Sequence, residues 1–315
     1  MKFVSIPNNG ASWREKLIYA IDTESDEAID LNVDIIDSER GVVASLNIYQ
    51  VKTTEIDIAP YLRTLVDESP TDNIEALTWS SAALEIRVAV NGVESQQRVF
   101  YRANLDVSTA KVLSRLPTHP TVSPGETLRM TIFSRKSVEI KLLMLSLVPE
   151  IKTYTLMTYG RPVEFTLPIA ADANFKRLRV TIICDGVTLD GYDFMLIKSG
   201  SSARQVVWYN MAGGVESYTF PKSVRLNYRT DVAKATSGRV SIKGRYVTRE
   251  LYSAYESPEE LERIMQMVFA PQLYISTEQG CLPQSDFTRR VAFTPQGNIS
   301  QLKIEIEEAW RGGEL

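Results

Sequence analysis

Alternation of apolar and polar residues with a period of two runs through most of this chain. That period belongs to half-buried β-strands, so it narrows the fold more than any other feature. Leu31, Val33 and Ile35 fall on one face of a strand and Asn32, Asp34 and Ile36 on the other; Leu46 and Ile48, then Ile56 and Ile58, continue the pattern. The clearest hairpin is LEIRVAVNGVESQQRVFYRA. In it Leu84, Ile86, Val88 and Val90 alternate up to Asn91-Gly92, the preferred pair for a type I′ turn. The return strand carries Val99 and Tyr101. Leu128, Met130 and Ile132, then Val138, Ile140 and Leu142, open a second series, which extends through strands centred on 163–167, 178–182, 194–197, 205–208, 224–228 and 240–246. Short strands at this spacing predict a mainly β fold: tandem antiparallel β-sandwich domains with a small C-terminal α+β segment.

Pro117, Pro120 and Pro124 stiffen the stretch LSRLPTHPTVSPGETLRM and suggest a boundary there. The expected domains are therefore 1–116, a β-sandwich; 117–250, a second β-sandwich; and 251–315, an α+β tail. The tail holds the one well-specified helix. Ser257-Pro258-Glu259-Glu260 forms a capping box with proline at the first helical position. Leu261, Ile264, Met265, Val268 and Phe269 follow as a single apolar stripe, which predicts a helix over Pro258–Ala270 packed on the terminal strands.

Charge divides unevenly. Residues 1–116 carry 11 basic and 18 acidic side chains, net −7, within a whole chain of net charge −4. That balance argues against a dedicated nucleic-acid binder. From Lys222 to Arg249 there are eight basic residues against one acid, Asp231. Arg225, Arg229, Arg239, Lys243 and Arg245 alternate with Val224, Leu226, Tyr228, Val240, Ile242 and Tyr246. This predicts an outward basic face over a buried core, a candidate interaction surface for an acidic partner. The acidic residues 1–116, in the same chain or another copy, are one such partner. No aromatic stacking platform interleaves with these charges, which speaks again against nucleic acid.

Catalytic constellations are hard to assemble. The single histidine, His119, excludes any site that needs two imidazoles. Neither a Walker loop nor a G-x-S-x-G elbow occurs. Asp185, Asp190 and Asp193 surround two glycines, but without EF-hand spacing they read as turn residues rather than a calcium site. Cys184 and Cys281 are too far apart for a disulfide framework or zinc knuckle and are expected as two buried thiols. No enzyme activity, cofactor or metal is expected. The first residues lack the apolar core of a signal peptide, and the longest apolar run, Leu142–Val148, is too short to span a bilayer. The expectation is a soluble protein, cytoplasmic when made, with no membrane partner.

One block stands apart: Trp208-x-Asn210, Gly213-Gly214 and Tyr218-x-Phe220 in WYNMAGGVESYTFPKS. Gly213-Gly214 suits a tight connection that Asn210 can cap, while Trp208, Tyr218 and Phe220 offer apolar area to lock the hairpin. The block resembles one found in structural, tail- or virion-associated proteins of phages and prophages of Bacteroides-like bacteria. Glu259-Glu260-Leu261, Ala270-Pro271-Gln272-Leu273-Tyr274-Ile275 and, near the N-terminus, Asp57-Ile58-Ala59-Pro60 are similar too. The resemblance is most specific over residues 204–310. It implies a non-enzymatic structural or assembly protein that joins a phage-like particle, with other virion or tail proteins or copies of itself as partners. A carbohydrate-binding or adhesive β-sandwich module is the alternative.

Overall fold

The computed structural model describes residues 1–66, 70, 78–81, 83–197, 202–234, 240–277, 280–284, 286–287 and 292–309. The chain opens with β1 (Lys2–Ser5), β2 (Ile18–Asp22), β3 (Ile29–Asp37), β4 (Gly41–Val51), β5 (Thr53–Asp57), α1 (Ala59–Arg63), β6 (Thr78–Ser81), β7 (Ala83–Val90), β8 (Val93–Glu94) and β9 (Arg98–Tyr101). It continues through β10 (Lys111–Val112), β11 (Thr121–Val122), β12 (Thr127–Phe133), β13 (Ser137–Leu145), β14 (Glu150–Met157), β15 (Pro162–Pro168), β16 (Arg177–Cys184) and β17 (Val187–Leu196). The last part holds β18 (Arg204–Tyr209), β19 (Val215–Phe220), β20 (Lys222–Lys234), β21 (Val240–Glu256), α2 (Pro258–Met265), β22 (Leu273–Thr277), β23 (Gly280–Pro283), β24 (Asp286–Phe287), β25 (Ala292–Gln296) and β26 (Ile299–Ala309). A 3₁₀ turn, Gln266–Phe269, follows α2.

These strands form antiparallel β-sandwiches in tandem, as the alternation predicts. In the first, the sheet β1-β2-β5 faces the sheet β4-β3-β7-β8, with β9 beside β7. Trp13, Tyr19, Val33, Ile35, Ile86, Val88 and Phe100 fill the space between them. The predicted Asn91-Gly92 turn has positive φ at both residues, 46° and 85°, as a type I′ turn requires. In the second sandwich β10-β12-β15-β6 packs on β11-β17-β16-β13-β14 around Met130, Ile140, Phe165, Val180 and Phe194. β6 lies in sequence within the first sandwich yet pairs with β15 of the second, so the two are interlaced rather than merely linked. The third sandwich sets β19-β18-β22-β23 against β20-β21-β26-β24, with α2 closing the core.

The third core differs from the expected division. It joins Val206, Trp208 and Phe220 to Leu251, Leu302 and Ile306, and β21 runs straight through the position 250/251 where the tail was expected to begin. The helix and terminal strands complete this sandwich instead of forming a separate tail. Phe269 also departs from expectation. The α-helical spacing ends at Met265, and the tighter 3₁₀ turn brings Met267 into the core in its place. Phe269 is left 66% exposed.

The second and third sandwiches stack. β12 is buried along its whole length: Leu128, Met130 and Ile132 face its own core, and Thr127, Arg129 and Thr131 lie on the other side. There β12 and β15 meet the back of β18 and β19, and the contact is polar. The Gln205 amide donates to the Thr127 carbonyl at 2.9 Å, and the Val215 N–H to the Thr131 hydroxyl at 2.9 Å.

Candidate interaction surfaces

The block singled out in the sequence sits where the three sandwiches meet. β18 and β19 pair from Arg204 with Phe220 to Tyr209 with Val215, and Asn210–Gly214 close the hairpin. Trp208, Tyr218 and Phe220 are wholly buried in the third core, with the Tyr218 and Phe220 rings edge-to-face at 5.1 Å. Asn210 does more than cap the turn. Its amide donates to the Leu113 carbonyl at 2.7 Å and to the Glu216 carboxylate, while its carbonyl accepts the Gly214 N–H at 3.0 Å. The glycines are required twice over. Gly213 has φ +81°, and a Cβ on Gly214 would meet the Leu113 backbone at 2.5 Å. Arg102, which follows β9 of the first sandwich, lays its guanidinium 3.5 Å from the centre of the Tyr209 ring. Alternation could place Trp208 in a core; it could not show that the turn would lie against residues a hundred positions earlier.

Carboxylates hold the segment leading into the second sandwich. Glu216 accepts from the Arg115 N–H at 2.5 Å, Glu260 from the Thr118 N–H at 2.6 Å, and Glu126 from the Ser123 N–H at 2.7 Å and the Thr219 hydroxyl. Burial raises Glu126 and Glu216 to about 7, because a charged carboxylate there loses its hydration. Burial likewise raises Glu256, which accepts from the Tyr218 hydroxyl at 3.1 Å, to about 7. The proline-rich stretch expected as a domain linker is thus a bound strap between sandwiches.

Among the described residues, the arginines of the expected basic face are divided between the two sides of the sheet. Arg225 pairs with Arg249 but Asn227 with Thr248, so Leu226 is an extra residue that resets the alternation. Arg225 consequently lies with Tyr228, to whose hydroxyl it donates, and Arg229 lies on the opposite face against Tyr246. A second shift, between Asp231–Gly244 and Val232–Ile242, interrupts the run at Lys243 before Arg245. Arg239 lies outside the described residues, as does the side chain of Lys243. On the outer face the charges alternate in sign. Arg229 contacts Asp231 at 3.2 Å and Glu307 at 3.0 Å, Lys303 pairs with Glu250, and Lys222 sits over the Tyr252 ring. Glu307 of β26, 78 residues from Arg229 in sequence, supplies part of the neutralising charge. Nor do the alternating apolar residues of β20 form a buried side: Val224, Leu226 and Tyr228 are 37%, 41% and 57% exposed on this edge strand, while the side chains of Val240 and Ile242 lie outside the described residues.

The other candidates separate. Asp185 pairs with Lys136, Asp190 accepts from the Tyr192 hydroxyl at 2.7 Å, and Asp193 makes a two-point contact with Arg179 at 2.8 and 3.0 Å. His119 is exposed between Thr118 and Pro120. Cys184 and Cys281 are buried in different cores. Trp208 and Tyr209 are both buried, so they present no aromatic platform to a sugar.

Exposed apolar side chains gather elsewhere, at a place sequence reading passed over. β14 is an edge strand, and its Ile151, with Leu147 and Val148 of the turn before it, stands out into solvent. A cleft of about 490 Å³ opens next to them, lined by Leu142, Met144, Tyr154, Phe175 and Leu178 together with Ser146, Glu150 and Lys152.

No family model matches the chain, and no curated protein does. Among solved structures it is similar to one described as a crystal structure of Dpr2 Ig1-Ig2 in complex with DIP-Theta Ig1-Ig3, at 10% identity and a TM-score of 0.20, covering 98% of this chain and 89% of that one. Among the described residues, no helix is long and apolar enough to cross a membrane.

Proposed function

We propose that this chain is a non-enzymatic structural and assembly protein that works through protein–protein contacts, as a tail- or virion-associated component of a phage or prophage particle. The supporting observation is the division of labour in the β-sheets. Polar side chains that would ordinarily decorate a surface are spent on locking three sandwiches together through Asn210, Glu216, Gln205 and Arg102. Exposed apolar side chains are left on sheet edges, at Ile151 of one, next to Leu147 and Val148 of the adjoining turn, and at Val224, Leu226 and Tyr228 of another. A locked scaffold with apolar edges suits stacking against other protein subunits. The particle assignment rests on the resemblance carried by Trp208, Asn210, Gly213, Gly214, Tyr218 and Phe220.

The test is purification of particles from the host that carries the gene, by density gradient, followed by mass spectrometry of the banded fraction. The chain should be present at a fixed ratio to the major particle protein. Its absence from particles while abundant in the lysate would overturn the particle assignment, and saturable binding to a glycan array would favour the adhesive alternative.

A further inference from the structure

We infer that β14 is a self-association edge, pairing antiparallel with β14 of a second copy about a two-fold axis at Ile151. The inference deepens the assembly reading by naming one partner, and it requires no particle.

Three observations converge on this strand. First, among the described residues β14 is the long edge strand that no register shift interrupts. β4 and β20, the other edge strands of comparable length, are both interrupted by register shifts against their neighbours. β14 pairs with β13 without a shift from Ser137–Met157 to Met144–Glu150 and leaves its other side open. Bulges are a common means of blocking edge-to-edge pairing, and this edge has none. Second, the apolar exposure is concentrated here, with Ile151 70% and Val148 78% exposed.

Third, the charges around Ile151 complement themselves. Glu150 and Lys152 flank it, are both exposed, and pair with each other at 3.1 Å within one copy, so that a second copy would complete a four-charge cluster. A two-fold axis normal to the sheet at Ile151 sets each Ile151 opposite its counterpart. It also sets Glu150 opposite Lys152 of the partner subunit and Lys152 opposite Glu150 of the partner subunit. Two five-stranded sheets thereby become one continuous sheet.

The experiment is sedimentation velocity of the full chain over a concentration series, with circular dichroism to confirm folding of each variant. The wild type should dimerise. Glu150→Lys and Lys152→Glu each create two symmetry-related like-charge pairs, and each should weaken the dimer about tenfold. The double variant E150K/K152E restores both opposite-charge pairs and should bring the dissociation constant back to near the wild-type value. Ile151→Lys, which sets two ammonium groups on the axis, should abolish the dimer. A wild type that stays monomeric at its solubility limit would overturn the inference. So would a dimer indifferent to the single reversals, or one that the double reversal fails to rescue. None of these outcomes touches the particle assignment, which the gradient experiment tests separately.

Discussion

Gly214 and Leu113 approach so closely that a Cβ on the glycine would lie 2.5 Å from the leucine carbonyl carbon and 2.6 Å from its oxygen. Backbone stands on both sides of that contact, so no side-chain rotation relieves a clash. Gly214→Ala should therefore destabilise the protein by about 2–4 kcal/mol by driving the β18–β19 turn away from the segment entering the second sandwich. Gly191→Ala is the control. Its φ is not positive and its nearest neighbour, the Val180 carbonyl oxygen, would be 3.7 Å away, so the change should stay within about 0.5 kcal/mol. Urea unfolding of both variants decides the matter. Equal effects would mean that the turn does not lock the junction.

The 3₁₀ turn after α2 gives a second contrast. Met267 is wholly buried in the third core and Phe269 is largely exposed. Met267→Ala should cost about 2–5 kcal/mol, while Phe269→Ala should cost less than about 0.5 kcal/mol. The helical stripe drawn from sequence alone assigns Phe269 to the core, so thermal unfolding of this pair separates the two arrangements. A larger loss for Phe269→Ala would restore the continuous helix.

What could be read from the residues and what could not follows from the range of the forces involved. Strand periodicity and turn chemistry are local, and they located the hairpin at Asn91-Gly92 and the capped start of α2, where the Ser257 hydroxyl accepts the Glu260 N–H. The Trp208–Phe220 block was legible as a hairpin lock for the same reason. Its docking on Leu113 and Arg102 was not, because nothing in a strand's pattern tells a core from a second buried face. β12 illustrates this: Thr127, Arg129 and Thr131 alternate like solvent-facing residues and are buried. The basic face failed through bulges, since one extra residue at Leu226 inverts every later side chain and leaves no mark in composition. The β14 edge was overlooked because openness of an edge is a property of sheet order, which the sequence does not state.

On the outer face of β20 and β21 the basic side chains reach solvent and are already paired. Arg229, about half exposed, contacts Asp231 and Glu307 and lies over Tyr246. Solvent screens such contacts, so Arg229→Ala should cost no more than about 1 kcal/mol. For the same reason salt should change stability little through this face. A loss several times larger in guanidinium unfolding would mean that Arg229 has a structural role beyond the ladder.

The buried carboxylates make stability depend on pH in a definite direction. An ordinary glutamate here would titrate at 4.5, whereas burial puts Glu126 and Glu216 at about 7 in the folded protein. Between those values the folded state holds protons that the unfolded state has released, so the unfolded state binds fewer protons and stability falls as pH rises. The contribution is complete below 4.5, where both states are protonated, and is lost once pH passes 7. Asp193 acts with the opposite sign and in a different window. The hydrogen bond from Arg179 holds it below 3.8, so its stabilisation is lost only in stronger acid. From pH 8 down to pH 5 the melting temperature should therefore rise. Glu216→Gln removes the titrating group while keeping an amide oxygen to accept the Arg115 N–H and the Asn210 amide, and E126Q does the same beside Ser123 and Thr219. The double variant should remove most of that slope, leaving the part that Glu256 beside Tyr218 carries, with its largest gain over the wild type at pH 8. A slope undiminished by both substitutions would place the responsible protons elsewhere.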